Sequence, residues 1–352
     1  MKTKIFKLSK DQKENEQIID YCANIIKNGG IVAFPTETVY GLGANALDSD
    51  AVKKIFVAKG RPQDNPLIIH IAKNDDIYKL GCNISTTTTK LINHFWPGPL
   101  TVIVNRDNCV PDVVASGLNT IGIRLPIDKI ARALINKSGV PIAAPSANLS
   151  TKPSPTMGKY VIEDLDGKVD AIIYYDNDKT FFGTESTVID TTTIPFTILR
   201  PGSITLTDIE LLIGSTNLSF ADFNKTTIAP KSPGMKYKHY APDANMTLVT
   251  GTNPALIVAK ILELSSQNNE QIAILATDET KNLYKLKGLA NVFSLGSRKA
   301  LDQVVSNIYT TLRHCNHLKV KHIYAEGFVG NDLEITIMDR LKKAAAFNIE
   351  EV

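Results

Sequence analysis

Residues 49–71, SDAVKKIFVAKGRPQDNPLIIHI, decide the fold. Over 49–57 the pattern is helical; Gly60 and Pro62 then force the chain out of the helix, and LIIHI at 67–71 reads as a short buried strand. Helix, sharp break and buried strand together make the repeating unit of an α/β domain. The same rhythm continues outward on both sides. Ser9 reads as the N-cap of a helix over 11–27, with Ile18, Cys22, Ile25 and Ile26 on one face and Gly29 at its stop. GIVAF (30–34), LTVIV (100–104), TIGIRL (120–125), PIAA (141–144), AIIYY (171–175) and STVID (186–190) read as strands, and TILR (197–200) adds another. Helical stretches near 85–95 and 128–137 lie between them. Some strands follow one another without a helix, which predicts a mixed sheet rather than a parallel one.

Residues 214–244 break this rhythm. They are rich in Ser, Thr, Asn, Pro and Gly, and from 223 to 242 they carry four lysines and no acid. This stretch reads as a linker or an ordered crossing loop. Alternation then resumes with MTLVT (246–250), QIAILA (271–276), NVFSL (291–295) and HIYAE (322–326) as strands. A helix over 299–314 carries Leu301, Val304, Val305, Ile308, Tyr309 and Leu312 on one stripe. The expectation is therefore an α/β domain over 1–213, a linker over 214–244 and a smaller, Rossmann-like α/β domain over 245–352.

The 352 residues are 43% hydrophobic and 21% charged, an ordinary globular mixture that excludes a disordered tail protein. No apolar run approaches the ~18 residues of a membrane helix. The basic start, MKTKIFKLSKDQKENEQ, lacks the apolar core of a signal peptide. Cys22, Cys82, Cys109 and Cys315 form no CxxC pair, so neither a zinc knuckle nor a disulfide framework is suggested; a cytoplasmic protein with reduced thiols and no membrane partner is expected. Residues 1–210 hold 23 basic and 23 acidic side chains, and the net +3 arises entirely after them. That is too little for gripping a nucleic-acid backbone by charge alone. GxSxG, HExxH and GxxxxGK[ST] are all missing. His314 and His317 flank Cys315 at helical spacing, with no further metal ligand evident nearby, and read as ordinary polar helix residues.

Several stretches stand out for their side-chain chemistry or rigid turns. PTETVYGLGAN (35–45) puts Thr36, Glu37, Thr38 and Tyr40 at the tip of a strand-to-loop turn; an ordinary turn is the alternative. In AKGRPQDNPLIIH (58–70), Lys59 and Arg61 bracket a glycine. A guanidinium fork and a point charge across a tight turn suit a polyphosphate, although a solvated charged loop fits as well. His70 lies in an apolar run and alone reads as a satisfied core histidine. HFWPGPLT (94–101) reads as a rigid, structural turn. Arg124 sits inside the otherwise apolar TIGIRL, where a guanidinium is costly unless an anion or a carboxylate meets it. Ser146 and Asn148 in APSANLS follow a strand end, where α/β sheets place ligands, and Ser154 lies just beyond. GTESTVID (183–190) and LRPG (199–202) repeat the recipe of hydroxyls or one arginine at strand edges. Their joint occurrence in one domain favours a shared anion-binding groove.

KGRPQDNPL followed by PSAN resembles the KxR…SxN signature of the YrdC-like family, and PTETVYGLG, FWPGPLT, IGIRLP, ESTVID and LRPG match it in the same order. SPGMKYKHYAP and the second domain resemble the long, two-domain form. The resemblance implies a twisted α/β sheet with a concave groove and a nucleotidyltransferase reaction: ATP, L-threonine and bicarbonate give threonylcarbamoyl-AMP and pyrophosphate, with Mg²⁺ held through the ATP phosphates. The product would feed a tRNA threonylcarbamoyl-transferase system, and a weak contact with tRNA is a further partner to expect. By the same resemblance Thr38, His70, Arg124 and Ser186 would hold threonine. Lys59, Arg61, Asn65, Thr120, Ala144, Ser146, Asn148, Ser154 and Arg200 would hold ATP, with Lys59, Arg61, Ser146 and Asn148 at the catalytic centre. Tyr237 or Tyr240 of the linker would reach over the nucleotide as part of a lid. Such chemistry forces two anions together, so it needs cations and a dry pocket more than a protein nucleophile, in keeping with the lack of a triad. A non-catalytic RNA-binding module is the competing reading; a carbamoyl-transfer enzyme of hydrogenase maturation would need zinc-finger segments that this chain, without CxxC, does not have.

Overall fold

The structure, a computed structural model, describes residues 2–176, 179–220 and 240–352. They form two compact units, one of Met1–Ser150, Ser154–Phe181 and Glu185–Tyr237, the other of Thr151–Pro153, Phe182–Thr184 and Lys238–Val352.

In the first unit the strands are β1 (Lys4–Leu8), β2 (Val32–Phe34), β3 (Gly41–Asn45), β4 (Ile68–His70), β5 (Gly81–Cys82), β6 (Leu100–Arg106), β7 (Thr120–Arg124), β8 (Ile142–Ala143), β9 (Ala171–Tyr175), β10 (Thr187–Asp190), β11 (Phe196–Arg200) and β12 (Leu218–Phe220). They build one 12-stranded sheet in the order β1-β9-β2-β3-β8-β4-β7-β6-β10-β11-β12, with β5 beside β6. The expected mixed sheet is found: β4 and β7 pair parallel, β6 and β7 antiparallel.

Three local readings differ. The helix Gln12–Lys27 is capped by Asp11, whose carboxylate accepts from Lys13 N and Glu14 N; Ser9 instead donates to Glu14. KIFKL at 4–8, within the basic start and not among the expected strands, forms a parallel edge strand on β9. GLGAN, read as loop, is β3. A side chain at Gly43 would run into Ile142 Cγ2 at 2.5 Å and Phe34 Cε1 at 2.7 Å, so its glycine permits close packing inside a strand.

Helix Ser49–Lys59 stops where expected. Gly60 takes φ +60°, and Gly60 N and Arg61 N turn back to Val57 O and Phe56 O, a glycine cap that presents Lys59 and Arg61 on either side of the turn. Helices Gln12–Lys27 and Lys129–Ser138 bury Ile18, Ile26, Leu134 and Ile135 in one apolar cluster with Phe34, Ile142 and Ala144. The larger cluster contains Ile69, Ile121, Ile123, Val102 and Ile189. Each such side chain removed from water contributes roughly 1.5–3 kcal/mol against the entropy of ordering the chain.

The second unit holds β13 (Asn245–Thr250), β14 (Ile272–Ala276), β15 (Val292–Ser294), β16 (His322–Glu326) and β17 (Ile349–Glu351), all parallel, in the order β15-β14-β16-β13-β17. Helix Leu301–His317 buries the predicted stripe through Val304, Val305, Ile308, Tyr309 and Leu312. Here His314 packs edge-on against Phe293, and no cluster of three metal-binding side chains occurs among the described residues. No described helix is long and apolar enough to cross a membrane.

Candidate active site

Strand β7 ends in Arg124, only 4% exposed. A guanidinium so placed must find partners. Its Nη2 donates to Glu37 Oε1 at 2.5 Å and its Nη1 to Thr38 Oγ1 at 2.9 Å, both from the loop after β2; Nε donates to Gly98 O at 3.3 Å. The loop is itself stiffened. Thr36 Oγ1 donates to Val39 O at 2.6 Å and accepts from Thr38 N at 3.2 Å. The turn at 94–101 has a second use beyond its structural one. Trp96 Nε1 donates to Leu100 O at 2.7 Å and Gly98 N to Leu125 O at 2.8 Å, which fixes the Gly98 carbonyl that Arg124 uses. Glu37, 6% exposed, spends Oε1 on Arg124, while Oε2 has no hydrogen-bond partner among the described residues.

Register places His70 of β4 directly beside Arg124 of β7. Side chains so paired share a face. Burial, then the charge of Arg124, pushes the imidazole down to about 3, so the ring is neutral at ordinary pH. Its Nδ1 has no partner among the described residues. Such a ring can orient a ligand but is a poor base.

The same face continues across the sheet. Val102 pairs with Ile123, which puts Thr101 on the Arg124 side; Thr101 pairs with Val188, and Val188 with Arg200. Thr101 Oγ1 lies 2.8 Å from Ser186 Oγ, and Arg200 donates from Nε to Ser186 O at 3.0 Å and from Nη2 to Ser186 Oγ at 3.1 Å. Thr120 shares the Arg124 face by the alternation of β7. The intervening residues Ile121, Ile123, Val102 and Ile189 turn the other way, into the main core. The opposite face thus carries His70, Thr101, Thr120 and Arg124, with the apolar Ile103 and Val188 among them.

The two halves of the KxR…SxN signature meet. Lys59, 2% exposed, donates from Nζ to Ser146 O and to Asn148 O, and Ser150 N returns a bond to Lys59 O at 2.9 Å. The segment they hold runs beside β3: Leu42 N donates to Pro145 O, Ala147 N to Tyr40 O, and Ser146 bridges Gly41. Ala144 N donates to Ile68 O, two residues before His70. Arg61 Nη2 reaches Asn65 O at 3.2 Å and Pro66 O at 3.3 Å and so closes its own loop. Asn65 is buried, and its Oδ1 has no partner among the described residues.

Ser154 Oγ donates to Glu185 Oε1 at 2.6 Å, one residue before Ser186. Tyr240 lies in the second unit, buried, its ring 5.0 Å from that of Tyr309 and 5.6 Å from the Arg340 guanidinium. Tyr237 lies outside the described residues. Thr101 in HFWPGPLT, Glu185 in GTESTVID and Glu37 at its loop tip have no individual role in the sequence reading. The buried arginine was the available signal for Glu37, since it demanded a carboxylate or an anion.

Beside Glu37 opens a cavity of about 470 Å³, lined by Thr36, Tyr40, Asp128, Tyr175 and Lys179 among others. Burial pushes the Asp128 carboxyl up to about 6 against the hydrogen bond from Ala131 N, and the charge of Glu37 adds to the rise. Burial likewise lowers the Lys179 ammonium.

Comparison with known proteins gives the family. Residues 24–202 match the Sua5/YciO/YrdC model, described as telomere recombination, and residues 204–346 match the model of the threonylcarbamoyl-AMP synthase C-terminal domain. Threonylcarbamoyl-AMP synthase of Pyrococcus abyssi is 42% identical over 97% of this chain and 98% of its own length; that of Bacillus subtilis is 41% identical over 98% of both. The crystal structure of P. abyssi Sua5 complexed with L-threonine superposes with a TM-score of 0.89 at 40% identity, covering 100% of each chain. With both domain models matched in order and relatives aligned end to end, the chain belongs to the Sua5/YciO/YrdC family, in its two-domain form.

Proposed function

We propose that this chain is a nucleotidyltransferase that makes threonylcarbamoyl-AMP and pyrophosphate from ATP, L-threonine and bicarbonate. Alongside the end-to-end similarity to relatives of that name, one observation carries the reading: buried Lys59 grips the carbonyls of Ser146 and Asn148 and so joins the two motifs into one site. The amino acid side of the site is Arg124, Thr38, His70 and Ser186. The nucleotide side is Lys59, Arg61, Asn65, Thr120, the Ala144 backbone, Ser146, Asn148, Ser154 and Arg200.

The chemistry follows from these groups. The threonine amine attacks bicarbonate, giving a carbamate. A carbamate oxygen then attacks the α-phosphorus, and pyrophosphate leaves. Both partners in the second step are anions, so the cations Lys59, Arg61 and Arg200 lower its barrier by opposing charge that grows in the transition state. His70, neutral, orients the amino acid. Mg²⁺ would enter on the triphosphate. The described side chains proposed for ATP are cations, amides and hydroxyls, and the nearby Glu185 already accepts from Ser154, so this donor set does not suit a protein-held cation. The product would supply a tRNA-modifying transferase in the cytoplasm. An RNA-binding module is not favoured.

Pyrophosphate release tests the reading when each substrate is omitted in turn, with mass detection of the adenylate. Release that needs both threonine and bicarbonate supports it; release indifferent to either, or none, removes it.

A further inference from the structure

We propose that Glu37 is a catalytic residue of this reaction: its Oε2 binds the ammonium group of threonine and takes a proton from it as the N–C bond forms. The inference rests on the function proposed above. An α-amino acid carries its two charges on neighbouring atoms, so the group that binds its ammonium must lie beside the group that binds its carboxylate. Glu37 lies beside Arg124, with 2.5 Å between Oε1 and Nη2. The pair is buried, yet Oε2 has no partner among the described residues and Glu37 lines the 470 Å³ cavity. A buried carboxylate oxygen without a donor is costly, and a ligand ammonium supplies the donor.

The other titratable groups beside Arg124 or around this cavity serve less well. His70, beside Arg124, is neutral and hard to protonate. Asp128 has Oδ1 committed to Ile130 N and Ala131 N. Lys129 and Lys179 are cations, and the Tyr40 hydroxyl accepts from Tyr175 N at 3.1 Å. In the step itself the ammonium gives one proton to Glu37 Oε2. The freed lone pair forms the N–C bond to bicarbonate carbon, and the C–OH bond breaks. Its hydroxide takes a second amine proton and leaves as water. The carbamate keeps the third, and Glu37 later releases its proton to solvent.

Glu37→Gln keeps the shape and a hydrogen-bonding partner for Arg124 but not the base. We expect kcat/KM for threonine to fall about 100-fold near pH 7. The deficit should shrink to less than about tenfold at more alkaline pH, where free amine forms in solution. A structural role, acting only through Arg124, would leave the deficit unchanged with pH. A constant deficit, or one under about threefold near pH 7, overturns the proposal. Calorimetry on the wild-type protein requires neither turnover nor a folded variant. There 2,3-dihydroxybutyrate, which has hydroxyl in place of the amine, should bind at least about 30-fold more weakly than threonine. Equal binding overturns the proposal even where pyrophosphate release is normal. Absent pyrophosphate release with threonine still binding through its amine would instead count against the function proposed above.

Discussion

Glu37 with Arg124 in the first unit and Glu326 with Arg298 in the second each set a buried carboxylate against a guanidinium, and the two pairs are finished differently; Asp339 with Arg340 is a further buried pair of the second unit. In the second unit Glu326, at the end of β16, accepts on Oε1 from Thr280 Oγ1 at 2.5 Å and Tyr284 OH at 2.8 Å, and on Oε2 from Thr277 Oγ1 at 3.2 Å and Arg298 Nη2 at 3.0 Å. Both oxygens are satisfied, and the Arg298 guanidinium lies over the Phe328 ring at 4.5 Å. In the first unit Glu37 satisfies one oxygen and leaves the other. The chemistry is alike, but in the second unit the carboxylate is fully satisfied, tying the end of β16 to the segments after β14 and β15, and the atom left without a partner among the described residues is Arg298 Nε, whereas in the first unit it is a carboxylate oxygen, Glu37 Oε2. A buried ion pair alone does not mark a site; an unfinished one beside a cavity does.

The contrast can be broken most severely at the closed pair. Glu326→Ala strands Arg298 and three hydroxyl donors, so urea unfolding should register a loss of about 3–5 kcal/mol. A loss under about 1 kcal/mol would mean the network is ornamental. The open side should instead show itself through pH. The His70 imidazole is held near 3, below its unfolded value of about 6.5. Its contribution is therefore fully present above about 6.5 and is lost as pH falls from there toward 3, because the unfolded chain takes up the proton first. Relative to His70→Gln, the wild type should lose roughly 5 kcal/mol of stability across that window, read from urea midpoints at several pH values. A parallel pH dependence for the two proteins would contradict the burial argument.

Smaller effects sharpen the comparison. Arg61→Ala should lower kcat/KM for ATP by roughly 1.5–3 kcal/mol through loss of a charge-assisted phosphate contact, with the fold retained by circular dichroism. Wild-type turnover at subsaturating ATP would remove Arg61 from the site. Tyr284→Phe deletes one of four donors to Glu326, so about 1 kcal/mol of stability should go, with no change in threonine KM.

The sequence was most legible where one short segment contains the whole signal. Lys59, Gly60 and Arg61 announce a capped helix end with two cations, and the structure has it. Arg124 announced a buried charge in need of a partner. The partner was harder to name, because Glu37 lies 87 residues away and acquires its meaning only when β7 meets the loop after β2. β3 was missed because its glycines read as turn chemistry, whereas Gly43 is there to admit Phe34 and Ile142. The cap of the first helix was misplaced by two residues because Ser9 and Asp11 are both good caps and only packing chooses between them.

The most direct test of the central claim, that the Arg124 face of β4, β7 and β10 is an amino-acid site, is calorimetric titration of L-threonine into the wild type and Arg124→Lys. Lysine keeps a cation beside Glu37, so the buried charge remains paired, but it loses the fork that reaches Thr38, Gly98 and the ligand carboxylate. The account predicts binding weakened by at least about tenfold with the unfolding midpoint little changed. Equal threonine affinity in the two proteins would contradict it.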